Sequence, residues 1–437
     1  MHQITLLVFF LLFFLSFSRN LLRVADPEHF RTFAEATEQM IYGRLAYAGE
    51  HGIFHAGGLM VMGYGRPELQ PDRPTMYQIF VSGQQVPNPW FYRSNPGWQG
   101  ILFSFITQIS PLDHQQEALL LRGVASAISA SICTLLLGWV MRTFSLGVAL
   151  GTGIGLLCSS GLIVSGGHVY WISGLLFWPC YVCIRQLERH KGPPKTYAWR
   201  AALWIGIAFW LKGQVLGFEL LTCTAVASLI PIAFYAVRDR WTFPQLLRWV
   251  LPVSVAITMA TTLTAAILLV QIGQLPNQDT TGIAYLQERL AVRTTGGTYR
   301  GSSAADLEES FSASYGAVFQ QYLHPPVFAL PATELTNRLL GRYRVLPFWL
   351  VGLMALICTA LSIRRKAAGT KALLITTWLS ILALPSWLIL FKSHAYLHLH
   401  LNFLGWYLPF LFFVYILVTQ TLITATSTRW HRTKSAD

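Results

Sequence analysis

The sequence predicts an all-α polytopic membrane protein of about ten transmembrane helices with two large extracytoplasmic loops. Three observations predict it. Of 437 residues, 53% are apolar and only 12% are charged, against roughly 25% charged in an ordinary soluble domain. Apolar runs of bilayer-crossing length recur along the whole chain. Lys and Arg cluster in the short connections between those runs, so the net charge of +13 reflects membrane orientation rather than a nucleic-acid surface.

The first run, residues 4–22, is apolar through Phe17 except for Thr5 and Ser16, and then meets Arg19. No A-x-A cleavage pattern follows, so it is expected to be an anchor. Residues 23–97 are polar, aromatic and rich in Gly and Pro, with no run long enough to span; they form the first loop. Residues 98–110 are mostly apolar, yet too short to cross, and predict a helix lying in the interface. Nine further runs follow at about 118–140, 147–164, 169–184, 198–211, 215–237, 249–272, 346–363, 372–390 and 401–425.

With residues 98–110 not crossing and the amino terminus inside, the cytoplasmic connections hold 16 Lys or Arg against three acids. The two long loops, 19–117 and 273–345, hold 13 basic and 15 acidic residues. Short basic connections stay inside, so both long loops are expected outside. The chain divides into a transmembrane module, 1–272, which includes the first loop at 23–117, then the second loop at 273–345, and a three-helix carboxyl-terminal region at 346–437. The six cysteines all fall in apolar runs, where zinc or redox chemistry is not expected; Cys180 and Cys183 read as small packing residues.

The chemistry-bearing stretch is Val24-Ala25-Asp26-Pro27-Glu28-His29-Phe30, just past the first span. A carboxylate at that depth can take a proton from an acceptor hydroxyl. Asp26 before Pro27, with Glu28 in the following turn, is also a helix-start signature. Lys212, inside an apolar hairpin, either pairs with an anion or snorkels to the interface, and Glu219 lies two helical turns further on. Lys392, His394, His398, His400 and Asn402 gather between the last two spans, where cations and imidazoles can meet a phosphate or a sugar hydroxyl. The spacing of those histidines permits a metal without specifying one. Arg93 and Arg300 are further loop cations that can reach an anionic group.

Asp26-Pro27-Glu28-His29-Phe30 resembles the Asp-Glu motif opening the first extracytoplasmic loop of the GT-C superfamily of membrane glycosyltransferases, in particular its protein O-mannosyltransferase and aminoarabinose-transferase branch. That family's acids are usually adjacent, whereas Pro27 separates them here. Tyr92-Arg93-Ser94-Asn95-Pro96-Gly97 stands where that branch often has His-Pro-Pro. Leu121-Arg122-Gly123-Val124-Ala125-Ser126-Ala127 is similar to its Arg-Leu-Pro-Ser-Ala pattern, and Trp210-Leu211-Lys212-Gly213 to its Leu-Thr-Lys-Gly pattern. The likeness covers roughly residues 1–220.

The resemblance implies inverting transfer of a sugar from a polyprenyl-phosphate donor to an acceptor hydroxyl on a lipid, glycan or protein. By the resemblance Asp26 would be general base with Glu28 beside it; the cations and imidazoles themselves, Arg93, Lys212, Arg300, Lys392, His394 and His398, are the expected phosphate-binding residues. No cofactor is expected, although a divalent metal serves some branches of that superfamily. No nucleic-acid partner is expected, and the expected location is a bacterial inner membrane. The competing expectation is a transporter or lipid flippase, with Lys212 and Glu219 as pathway residues; against it, the two large loops do not repeat each other. A membrane acyltransferase using one of the last histidines lacks a partner acid nearby.

Overall fold

The computed structural model describes residues 2–33, 35–63, 74–190, 197–275, 282–294, 304–365 and 370–434. It is a membrane-embedded, almost wholly helical protein. Among the described residues, six helical spans are long and apolar enough to cross a bilayer, or seven if one bent pair counts as a single span.

The first helix, α1 (His2–Arg19), shows why these segments are membrane helices. Phe9, Phe13 and Phe17 repeat every four residues and are buried, while Ile4, Leu7, Val8, Leu11 and Leu15 on the other face are exposed. In water an exposed leucine face would be a liability; in lipid it is solvated. The aromatic edge meets glycines: a Cβ at Gly153 would come within 2.3 Å of the Phe9 ring, and one at Gly166 within 2.3 Å of the Phe17 ring. Large residues against small ones let membrane helices approach closely.

Asp26 caps the short helix α2 (Pro27–Thr32), its Oδ1 accepting the amides of Glu28 at 3.0 Å and His29 at 2.9 Å. Next comes α3 (Glu35–His51), buried over most of its length, then a ladder of β1 (Met60–Met62) antiparallel to β2 (Trp90–Tyr92), with α4 (Met76–Ser82) between the strands. Gly43 lets β1 cross α3, because a Cβ there would lie 2.1 Å from the Val61 carbonyl oxygen. Arg44, fully buried, closes the end of α3. Its guanidinium donates to the carbonyls of His55 at 3.0 Å, Gly52 at 3.4 Å and Ile53. Burial lowers the Arg44 pKa to about 10, with Tyr47 opposing the shift, so it remains a cation at neutral pH.

The segment expected in the interface is α5 (Trp98–Ile109). Its 12 residues measure only about 18 Å, against a hydrocarbon core of about 30 Å. It packs on α3, and Gln108 near its far end donates to the Ala48 carbonyl at 3.4 Å.

The bundle proper begins with α6 (His114–Thr143), the most buried long helix, followed by α7 (Leu146–Leu157) and α8 (Ser160–Gly166). The apolar run 147–164 is broken in space: α7 and α8 meet at 73°. Then come α9 (Gly174–Arg189), α10 (Tyr197–Leu216), α11 (Leu221–Arg238) and α12 (Phe243–Gly273). Leu251, Val255, Met259, Leu263 and Val270 lie exposed along α12, a lipid-facing stripe.

The second polar segment contains α13 (Gly282–Thr294), α14 (Ala304–Ser312), α15 (Tyr315–Leu323), β3 (Pro326–Ala329), α16 (Glu334–Leu340) and β4 (Val345–Pro347), with β3 and β4 antiparallel. The last elements are α17 (Phe348–Arg365), α18 (Thr370–Ser380), α19 (Ala383–Leu390), α20 (Lys392–Leu397), α21 (Leu399–Asn402) and α22 (Phe412–Lys434).

The two polar segments dock on one end of the bundle. Gln271, at the end of α12, donates to the carbonyls of Gly57 at 2.7 Å and Pro96 at 2.8 Å, and Ala332 N–H meets the Arg23 carbonyl at 3.3 Å. The opposite end carries arginine pairs: Arg142 and Arg185 both on Glu188, and Arg238 on Asp239.

Replacing Arg44 with Met leaves three carbonyls without their buried donor. Thermal unfolding in detergent is expected to show a loss of roughly 2–4 kcal/mol, with part recovered in Arg44→Lys; an unchanged midpoint in Arg44→Met would contradict the role given to this side chain.

Candidate functional site

The site grows from the sharp turn between α10 and α11. Gly217 and Leu220 both adopt left-handed backbone, with φ of 56° and 49°. At Gly217 a Cβ would also lie 2.9 Å from the Ser94 carbonyl oxygen, so glycine is required on two counts. The turn leaves helix-end carbonyls without partners, and Lys212, fully buried, answers them. Its ammonium donates to the carbonyl of Gly217 at 3.2 Å and to that of Glu219. Asn95 clamps the same turn, donating through Nδ2 to the Val215 carbonyl at 2.8 Å and to the Tyr170 hydroxyl at 3.2 Å.

The turn thereby fixes the carboxylate of Glu219, which is 7% exposed. Arg293 of α13 donates to Glu219 Oε1 at 2.8 Å, and His394 Nε2 stands 3.5 Å from Oε2. Oε2 accepts no hydrogen bond among the described residues, which leaves acceptor capacity in a dry site. Burial opposes the charge on Arg293, but the fields of Glu219 and Tyr92 outweigh it and hold the guanidinium above its ordinary pKa. The Tyr92 phenol is raised as well, first by burial, with Arg293 opposing, so it is a proton donor at neutral pH.

A second arginine of α13 extends the positive charge. Tyr285, Arg289 and Arg293 recur every four residues and share one helix face. Arg289 Nε donates to Ser94 Oγ at 3.1 Å, and Arg289 and Arg93 lie 5.7 and 5.8 Å from the centroid of the Tyr285 ring. Arg293 thus pairs with Glu219 directly, Lys212 holds the backbone of the same turn, and Arg93 and Arg289 flank Tyr285 beside them, drawing cations from both polar segments and α10. Burying a surplus of like charge is costly unless an anion balances it. The arrangement suits binding of an oxyanion by guanidinium groups.

The residues singled out in the sequence divide into three groups. Lys212, His394 and Arg93 belong to this cluster. His398 packs at a tilt against His394 with ring centroids 4.6 Å apart, and Lys392 donates instead to the carbonyls of Phe311 at 2.8 Å and Ala313 at 2.7 Å. Asp26 and Glu28 are exposed on α2 and make no direct contact with the cluster. Phe33, at the end of α2, lies edge-on to His168 at 5.8 Å, and His168 Nδ1 accepts the amide of Tyr170, the partner of Asn95. Arg300 lies outside the described residues. Among the described residues no three His, Cys, Asp or Glu converge as metal ligands.

Sequence reasoning missed Arg289, Arg293 and Tyr92. The signal for the two arginines was their four-residue spacing with Tyr285, but their partners lie far away in sequence. It also missed the ion pair of Arg122 and Glu38, in which Nη2 reaches both carboxylate oxygens at 3.0 and 3.1 Å. Comparison with family models, curated proteins and solved structures finds no match.

Glu219→Gln would leave Arg293 charged and buried without its counter-charge, at an expected cost of roughly 3–5 kcal/mol in thermal unfolding. The double substitution Glu219→Gln with Arg293→Gln should recover a large part of that loss. Additive losses would show that the two side chains do not act as a pair.

Proposed function

We propose that this protein is a GT-C-like integral-membrane glycosyltransferase that moves a sugar from a polyprenyl-phosphate donor to an acceptor hydroxyl at the extracytoplasmic face. The observation that carries the reading is the gathering of Arg93, Arg289 and Arg293 from both polar segments beside Glu219 and the Lys212-held turn, at one end of an apolar bundle. A lipid phosphate delivered from the membrane is an anion suited to such a place. Phosphate leaves without needing a proton, so stabilising its charge is the main catalytic demand on that side of the reaction.

The same reading takes the finer topology with it. About ten crossings result if the bent α7–α8 pair, α9, α10 and α17 each span, in addition to the six qualifying spans. Both polar segments then lie outside and the arginine-paired end lies inside, in keeping with the positive-inside rule. The membrane is proposed to be a bacterial inner membrane.

Asp26 is proposed as the general base. Both of its capping bonds use Oδ1, and Oδ2 accepts no hydrogen bond among the described residues. A base there would take the acceptor's proton as its oxygen attacks the anomeric carbon, which inverts while the lipid phosphate departs toward the arginines. Glu28 stands beside it as an exposed second acid. Lys212 serves by holding the α10–α11 turn that places Glu219, and His394 supports Glu219 from the other side. Arg300 and Lys392 remain proposed as contributors to phosphate capture.

One observation favours a second reading, a transporter or flippase. The α10–α11 hairpin is interrupted at buried Lys212 and Glu219, and interrupted membrane helices with internal charges often line translocation pathways.

Membranes holding matched amounts of wild type, Asp26→Asn and Glu28→Gln decide between them when offered a mixed pool of radiolabelled polyprenyl-phosphate sugars. Asparagine still caps a helix, so Asp26→Asn should keep its thermal midpoint while transfer falls by roughly a hundredfold or more. Full transfer in Asp26→Asn would remove Asp26 as the base. Label that crosses the membrane without changing covalent partner would favour the transporter.

A further inference from the structure

The end of the bundle opposite the polar segments holds a cavity of about 460 Å³, large enough for a small ligand or a lipid headgroup. It is formed where the ends of α6, α9 and α11 converge. Arg142, Arg185, Arg189 and Arg238 line it, against two acids, Glu188 and Asp239, a surplus of two positive charges.

The charges are organised. Glu188 accepts Arg142 through Nε at 3.3 Å and Nη2 at 3.0 Å, and Arg185 through Nη1 at 3.1 Å. Arg238 forms a two-point pair with Asp239 at 2.7 and 2.9 Å and lies over the Tyr235 ring at 4.2 Å from its centroid. Arg189 is exposed and has no ion pair among the described residues. One carboxylate therefore holds two guanidinium groups in place without neutralising both, and a third arginine faces the same space uncompensated. Trp241, which also lines the cavity, stacks on Trp249 with centroids 6.1 Å apart. Tryptophans prefer headgroup depth, which sets the cavity where lipid phosphates lie.

We propose that this cavity is a binding site for a phosphate-bearing anion, and specifically for the headgroup of an anionic phospholipid. Arginine forks match phosphate oxygens, and basic pockets between membrane helices on the inner side commonly take such headgroups. The site is separate from the Glu219 cluster and does not depend on the transferase reading.

The test uses the full chain purified in a neutral detergent, with lipid retention measured by native mass spectrometry. Dioleoylphosphatidylglycerol and dioleoylphosphatidylcholine are offered separately, with and without millimolar inorganic phosphate. Wild type should retain the anionic lipid preferentially. Arg142→Gln with Arg189→Gln, which removes the surplus charge, should weaken that preference by roughly tenfold or more. Arg248→Gln with Arg364→Gln, exposed arginines outside the cavity, removes the same charge and should leave it intact. Displacement of the lipid by inorganic phosphate would support the site and assign it to free phosphate; retention despite phosphate would support the headgroup. Equal weakening in both double variants, or no preference in wild type, would overturn the proposal.

Discussion

A lysine and a glutamate seven residues apart are held inside a helical hairpin where neither reaches bulk water, and much of this protein's architecture answers that constraint. Lys212 is spent on the carbonyls its own helix leaves open at Gly217 and Glu219, so it cannot by itself neutralise the Glu219 side chain. The balancing charge comes from Arg293, which lies on a helix of the second polar segment. Pairing them requires that segment to fold back over the bundle, where Asn95 of the first segment holds the α10–α11 turn through Val215 and Ser94 accepts Arg289 of α13. A local problem at one turn thus couples three distant parts of the chain.

The two ends of the bundle solve different electrostatic problems. At the arginine-paired end, ion pairs such as Arg238 with Asp239 are partly exposed and contribute little to stability. Their significance is orientation and the anion they leave room for. At the other end the charges are buried, so their arrangement costs energy unless it is complete. The guanidinium groups of Arg93 and Arg289 beside the Glu219–Arg293 pair are what make that end a candidate for a charged substrate rather than a structural plug. The exposed acids of α2 stand apart from this dry cluster, where Asp26 can exchange protons with water.

Much of the helical layout was legible in the sequence, because residues solvated by lipid must be apolar and their runs must have bilayer length. Asp26 before Pro27 announced its helix through capping chemistry, and the shortness of residues 98–110 matched the helix α5 that packs on α3. The break between α7 and α8 was passed over, although Ser159 and Ser160 stand where the apolar run 147–164 is interrupted. Within the site, Lys212 stood out because a lysine in an apolar hairpin needs a reason, but its backbone partners depend on the turn at Gly217 and Leu220. Arg289 and Arg293 looked like ordinary loop arginines. Only docking of α13 against Ser94 and Glu219, 195 and 74 residues away in sequence, gives them a role.

If the cations beside Glu219 hold a lipid phosphate, equilibrium binding of a polyprenyl phosphate must exceed that of the uncharged polyprenol of equal length. A preference for the phosphate of at least roughly tenfold is expected in the wild type, in line with charge-assisted hydrogen bonds of about 1.5–3 kcal/mol, and its loss in Arg289→Gln, which leaves the Glu219–Arg293 pair in place. Equal binding of the two lipids, or an undiminished preference in Arg289→Gln, would contradict it.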